Sequence, residues 1–439
     1  MMQDLALLYA DHINELQSRA KTILQKSTAD GLVIHAGKAL KVFLDDYDYP
    51  FKVNPHFKAW LPITNVPHCF LIINGTDKPT LIYNQPIDFW HKVEQVGDEF
   101  WCDYFNIEVV NNLQQTKGLL QNKTHYAYLG EDNDMATELG FTQINPEAIV
   151  NYFHYHRAYK TTYELECLRL SNAKAVKGHQ AAREAFFEGK TEFQINLAYL
   201  AASEQTNEET PYGNIIALNE NASTLHYMVF DRQQPKERRS FLIDAGATFH
   251  GYAADITRTY ANQKNTFSTL IKRMHTMQLG IVDKLQAGTN YVDLHASAYH
   301  DIAHVLHDFD LLKVTPETAI ETGIVSTFFP HGLGHPLGLQ THDIGGFMQD
   351  ETGTHKPVPT KFSALRVSRT IEANQVFTIE PGIYFIDSLL DTLKHSDKTD
   401  MINWKTVDLL KPFGGIRIED NVIVHNDHNE NMTRNLGLK

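Results

Sequence analysis

The chain has 439 residues, 42% of them hydrophobic and 21% charged, and a formal net charge of −14 at pH 7. That length exceeds what one core ordinarily holds and predicts at least two domains. The acidic balance argues against nucleic acid or an anionic membrane as the main partner, and no apolar run approaches the ~20 residues of a membrane-spanning helix.

The opening segment, MMQDLALLYADHINELQSRAKTIL, has the spacing of an amphipathic helix with early acids. It lacks the basic start and apolar core of a signal peptide. Cys69, Cys102 and Cys167 are too scattered for a disulfide framework or a CxxC metal site, so a reduced, cytoplasmic setting is expected. GLVIHAG predicts a strand, and FLIINGTDKPTLIY a hairpin with Asn74-Gly75 at its turn. Residues 45 to 62, DDYDYPFKVNPHFKAWLP, are too aromatic for a solvated connector and suit an inter-domain or subunit contact.

The pattern changes near residue 160. Thr161 with Glu164 fits a capping box that opens a helix, which Gly189 is placed to end. Thr191 with Gln194 repeats the device, and two further helices follow residue 265, the first ending near Gly288. FLIDAG, YAADITRTY, QVFTIEPGIYF and GGIRIEDNVIVH predict strands. The chain therefore divides into a smaller mixed α/β domain, residues 1–158, and a larger α+β domain of mainly antiparallel sheet, residues 159–439.

Chemistry concentrates in the second part. FLIDAGATFHGYAADITRTY holds Asp244 and Asp255 in apolar strand sequence. A two-residue turn at Phe249-His250 would set these two carboxylates directly opposite each other, where like charges repel. FFPHGLGHPLGLQTHD carries His331, His335 and His342 among glycines that forbid a regular helix, so the i,i+4 histidines are not a helical zinc motif. Glu380 stands before Pro381 at the end of an apolar strand, and Arg417 and Glu419 share one face of an alternating strand. Each has an ordinary explanation: a turn aspartate, a hydrogen-bonded loop histidine, a solvated glutamate, a same-face ion pair. Four carboxylates embedded in apolar sequence together call for cations. A carboxylate-rich set with one imidazole suits two divalent ions of the Mn2+ kind.

The ordered set Asp244, Asp255, His335, Glu380, Glu419 resembles the metal centre of the pita-bread (creatinase/aminopeptidase-like) metallopeptidases, which include methionine aminopeptidase, aminopeptidase P and prolidase. HGLGHPLGLQTHD, IEPGIYF and GGIRIEDN resemble the bacterial Xaa-Pro dipeptidase (prolidase) branch, with the marine prolidases also described as organophosphorus acid anhydrolases. The likeness extends to FLDDYDYPFKVNPHFKAWLP and NGTDKP near the N-terminus. It implies a pita-bread catalytic domain, a homodimer and two divalent ions per subunit. By the same resemblance Asp255 and Glu419 bridge the ions, Asp244 completes one site, and His335 and Glu380 complete the other. Glu380 is the expected proton shuttle, and His331 and His342 are suited to oxyanion stabilisation. Arg417 is expected to grip the carboxylate of a dipeptide ending in proline, or else to pair with a metal-bound carboxylate. Asp45 or Asp46, in a loop reaching a partner subunit's cleft, would receive the substrate ammonium. Tyr212, Leu225, His226 and Trp90 are candidates for the pocket wall, and Thr341 and Leu365 for side-chain preference. Hydrolysis of P–F or P–O esters is the corresponding side activity. The alternatives are an aminopeptidase P-like exopeptidase, or a non-catalytic pita-bread domain that binds peptides.

Overall fold

The computed structural model describes residues 2–439, with side chains from Leu5 onward, so Met1 of the expected N-terminal helix lies outside the described residues. Contacts divide the chain into two units. One comprises the residues up to Cys167 with His250–Tyr252 and Asp350–Thr354. The other comprises Leu168–Phe249, Ala253–Gln349 and His355–Lys439.

The first unit begins with the predicted helix, Met2–Gln25. Its buried Leu5, Tyr9, Ile13, Leu16, Ala20 and Ile23 recur every three or four residues and form one apolar stripe. The strands β1 (Leu32–His35), β2 (Phe70–Ile73), β3 (Thr80–Asn84), β4 (Asn106–Val110), β5 (Ala127–Leu129) and β6 (Gln143–Ile144) form a mixed sheet in the order β4-β3-β2-β1-β5-β6. Central β1 is buried at all four positions, as a strand paired on both edges requires. The β2–β3 hairpin is real, but its loop is longer than a two-residue Asn-Gly turn, because Ile72 pairs with Thr80. The Asn74 side chain accepts from the backbone N–H groups of Thr76 and Asp77, at 3.0 and 2.8 Å, and so builds a wider turn. Gly75 has φ +77°, and a Cβ there would lie 2.7 Å from Lys21 Cα, so the turn needs glycine twice over. The aromatic stretch divides. Phe57 and Trp60 are buried in this unit, whereas Tyr47 and Tyr49 are exposed.

The expected capping boxes are present. Thr161 N–H donates to Glu164 and Glu164 N–H to Thr161, opening the helix Thr162–Phe187; Gly189 follows it with φ +84°. Thr191 and Gln194 reciprocate ahead of the helix Glu192–Ser203. The two later helices run Thr266–Lys284 and Tyr291–Asp308.

The second unit contains the antiparallel sheets β11-β8-β7, β12-β15-β16 and β13-β14, with β7 Ile215–Leu218, β8 Ser240–Ala245, β11 Ile256–Ala261, β12 Val376–Ile379, β13 Gly382–Tyr384, β14 Gly415–Arg417, β15 Asp420–Val424 and β16 Asn429–Asn431. Two short strands, β9 (Thr248–Phe249) and β10 (Tyr252–Ala253), flank the tip of the β8–β11 hairpin. Helices pack on one side of these sheets. Phe186, Ile195 and Tyr199 meet Phe241, Ile243 and Ala245 of β8. Residues from Phe267 to Ile302 meet Phe377, Ile379, Ile383, Ile416, Ile418 and Val422. Alternation along the strands turns Asp244, Arg417 and Glu419 away from that apolar face. Among the described residues no helix is long and apolar enough to cross a membrane.

Three of the four predicted strands are interrupted, each at a carboxylate. Asp255 falls between β10 and β11, Glu380 between β12 and β13, and Glu419 between β14 and β15.

Candidate metal centre

The hairpin register differs from the sequence expectation. The turn lies at His250-Gly251, both with positive φ (47° and 85°), as mirror-image two-residue turns require. Asp244 consequently pairs with Thr257, and Asp255 sits two residues along as a diagonal neighbour. A shift of two positions preserves the face, so the carboxylates still converge. The Tyr212 hydroxyl touches Asp244 Oδ1 at 2.7 Å and Asp255 Oδ1 at 2.5 Å. Tyr212 therefore joins the two acids and is more than an apolar pocket wall.

The direct cross-strand pair of acids occurs elsewhere. Ile379 pairs with Asp420 and Gly382 with Arg417, so the register is the same on both sides of the gap and Glu380 lies opposite Glu419. Pro381 has no N–H to give, which opens the ladder there. The ligands' backbones are tied by other bonds. Glu380 N–H donates to Leu333 O at 2.8 Å and Glu419 N–H to Thr257 O at 3.0 Å. Asn421 takes the place of a strand at Asp255: its Oδ1 accepts from Asp255 N–H at 3.0 Å, and its Nδ2 donates to Asp255 O.

His335 reaches the same place from the glycine loop, which is coil as expected. Gly334 lets it approach, since a Cβ there would lie 2.0 Å from Thr378 O. His335 Nδ1 is 3.0 Å from Pro336 O, which fixes the N–H on that nitrogen. Nε2 is left facing Asp255 Oδ2 at 3.3 Å and Glu380 Oε1 at 3.7 Å. A second nitrogen donating to a carbonyl is the usual arrangement of a metal-ligating histidine. Asp255, His335 and Glu419 offer ligand atoms all within 4.8 Å of one another. Glu380 adjoins this group through His335, and Asp244 through Tyr212.

Burial dominates the electrostatics. Asp255, His335 and Glu419 are at most 5% exposed. Burial, then the charges of Asp255, Glu380 and Asp244, drive the Glu419 carboxyl well above its ordinary range. Burial raises Glu380 to about 7 against the opposing influence of His335 and Arg417. Asp244 is raised by burial although Arg417 opposes it. Asp255 is penalised by burial, but His335, then Tyr212 and His342, together hold it below its ordinary value. Four carboxylates thus face one guanidinium, an excess of three negative charges when all are ionised. Two divalent cations would convert that to a single positive charge, which one anion cancels. The donor set fits hard or borderline divalent ions.

Arg417 lies among the same acids. It is 4% exposed, and its donors go to Asp244 Oδ2 (2.6 Å), Tyr384 Oη (2.8 Å) and Thr257 Oγ1 (3.2 Å). Thr257 passes the contact on, donating to Glu419 at 2.7 Å. His331 is also committed: Nδ1 is 2.8 Å from Gly332 O and Nε2 is 2.9 Å from Tyr384 Oη. Burial, then Arg417, lowers its pKa to about 3, so it is neutral. His342 differs. Its ring stands edge-on to His335 at 4.4 Å, its pKa is lowered to about 4 by burial and by His335, and it makes no hydrogen bond among the described residues. His226 is exposed and close enough to influence both His331 and His342. Leu225 is half-buried, Leu365 is buried, and Thr341 Oγ1 is buried without a partner among the described residues. Asp45, Asp46 and Trp90 belong to the first unit, where all three are exposed. Sequence reasoning missed Tyr384, Thr257 and Arg366. Arg366 follows Leu365, is exposed, helps lower the His342 pKa, and forms no ion pair among the described residues. A lone arginine in SALRVS offers little signal for that role.

Residues 166–426 match the pattern described as "Metallopeptidase family M24". The chain belongs to metallopeptidase family M24. Residues 7–155 match "Xaa-Pro dipeptidase, N-terminal domain". This M24 chain is 56% identical to the Xaa-Pro dipeptidase of Colwellia psychrerythraea over 99% of its own length and 98% of the relative's. It is 55% identical to that of Shewanella loihica over the whole of both chains. Among solved structures, zinc-substituted Escherichia coli aminopeptidase P superposes with a TM-score of 0.72 at 20% identity, covering 96% of this chain and 95% of that one. Proline aminopeptidase P II of Yersinia pestis gives 0.72 at 21%, covering 98% and 96%. These likenesses establish the pita-bread fold of the M24 enzymes, with an N-terminal domain ahead of the catalytic one.

Proposed function

We propose that this metallopeptidase is an Xaa-Pro dipeptidase that binds two divalent cations, in the cell Mn2+, through Asp244, Asp255, His335, Glu380 and Glu419. The carrying observation is the convergence of four carboxylates around His335, with Asp255 and Glu380 facing its Nε2 and Glu419 within ligand reach of both Asp255 and His335. Asp255 is suited to bridge, because its Oδ1 faces Tyr212 and its Oδ2 faces His335. Two cations held there would lower the pKa of a water and polarise the scissile carbonyl.

The chain's own residues supply the rest. Proline's amide nitrogen carries no hydrogen, so recognition falls to the ends of the dipeptide and to shape. Glu380, at 17% side-chain exposure and apart from the tightest three ligands, is placed to carry a proton towards the leaving nitrogen. The neutral, uncommitted His342 can donate to the developing oxyanion. Arg366 is the better candidate for the substrate carboxylate, since Arg417 is occupied by Asp244, Tyr384 and Thr257. Arg417 and Tyr212 position the acids, and His331 is held in their network. Leu225, His226, Thr341 and Leu365 line the approach. The chain acts as a homodimer with domains 1–158 and 159–439. The exposed apolar Phe43, Leu44, Ile87, Phe89 and Trp90 of the first unit support a subunit contact that would carry Asp45 and Asp46.

The test pairs metal analysis with product assay. Chelation should abolish Gly-Pro hydrolysis and Mn2+ should restore it, with two ions bound per chain and no cleavage of a Gly-Pro-Xaa tripeptide. Activity surviving complete metal removal, or preference for the tripeptide, would overturn the reading.

A further inference from the structure

The helix Tyr291–Asp308 buries Tyr291, Leu294, Ala298, Ile302 and Val305 in the core. Its other side presents His300 and His304, four residues apart and therefore one above the other. Their Nε2 atoms are 3.3 Å apart, with ring centroids at 4.5 Å. Two nitrogens on one ion at about 2.0–2.1 Å with a tetrahedral angle lie roughly 3.3 Å apart. A third donor converges from another element. Glu317 is the second residue of the helix Pro316–Glu321, whose entry is fixed by the Thr315 cap and by Pro316. Its carboxylate and both imidazoles offer ligand atoms all within 4.8 Å of one another. The Glu317 carboxylate also accepts from its own backbone N–H and from Thr315, contacts that hold it at the helix entry beside both imidazoles.

We propose that His300, His304 and Glu317 form a peripheral site for a borderline transition-metal ion of the Zn2+, Ni2+ or Cu2+ class, separate in residues and in donor type from the carboxylate-rich centre. Two imidazoles and one carboxylate select such ions over Mg2+ or Mn2+, which the oxygen donors of the centre accept. The partly exposed position leaves room for water to complete a tetrahedron. The ion ties the helix Tyr291–Asp308 to the helix that follows it and stabilises the folded chain by binding it alone. Because imidazole must be deprotonated to ligate, binding weakens on acidification.

The test is equilibrium dialysis of the untagged, Mn2+-loaded full chain against Zn2+, in parallel with His300→Ala/His304→Ala and Glu317→Gln. The double variant is expected to bind one Zn2+ fewer per chain and to keep Gly-Pro turnover with Mn2+. Glu317→Gln is expected to weaken the same equivalent, and Zn2+ to raise the melting temperature of the parent more than that of the double variant. Both variants alter surface residues, and circular dichroism of the metal-free proteins checks that each is folded. Equal Zn2+ stoichiometry and affinity in parent and double variant would overturn the proposal.

Discussion

Replacing Arg417 by methionine separates two uses of this side chain. In the metal-free protein its guanidinium is the cation in contact with Asp244, at 2.6 Å, and it also holds Tyr384 and Thr257. Removing one partner of such a buried pair costs about 3–5 kcal/mol. At about 1.4 kcal/mol per decade that is two to three and a half decades in the unfolding equilibrium. The loss should be largest at high pH. Asp244 is already raised by burial, and losing Arg417 raises it further, so the variant recovers stability as pH falls and that carboxyl takes up a proton. Mn2+ should also restore much of the loss, because a cation then faces Asp244 in place of the guanidinium. The assay is urea denaturation of parent and variant, in chelator and in Mn2+, with the KM for Gly-Pro measured alongside. An unchanged metal-free midpoint together with a raised KM would refute the reasoning and return Arg417 to the substrate.

Gly334→Ala should cut metal affinity and turnover, because the new Cβ would lie 2.0 Å from Thr378 O and displace the loop bearing His335; calorimetry with Mn2+ checks this. Asp420, fully buried between Arg258 and Arg434, is penalised by burial, yet those charges hold its pKa at about 2 against an ordinary 3.8. Its depressed folded pKa contributes roughly 2 kcal/mol above about pH 4, lost as pH falls towards 2. Asp420→Asn should flatten that part of an acid-denaturation profile. Thr191→Ala removes a complete capping box and should cost about 1 kcal/mol, read as a lower denaturation midpoint with Gly-Pro kinetics unchanged.

Helices and their caps were legible in the sequence because the signals are local: Thr191 and Gln194 are three residues apart, and Gly189 needs only its own φ. The convergence of acids was legible too, since a carboxylate in an apolar strand carries its own desolvation argument. Register was not. The positions of Phe249, His250 and Gly251 decide which acid faces which, and the choice between neighbouring two-residue turns rests on backbone preferences that the sequence expresses weakly. Glu380 opposite Glu419 was hidden for a different reason, because 38 residues, most of them helix and loop, separate the two and pairing over that distance leaves no periodic trace. Arg417 was placed on the correct face, but its partners could not be read without knowing that Tyr384 and Thr257 would meet it.

The interruptions in the strands carry a last implication. Each acid at a gap has its amide held crosswise: Asp255 by Asn421, Glu419 by Thr257, Glu380 by Leu333. The mesh resists the mutual repulsion of the acids from the backbone side, before any counter-charge arrives. The spacing offered to an ion is therefore set by the scaffold, and discrimination among ions of equal charge becomes a question of which radius suits a frame that yields little.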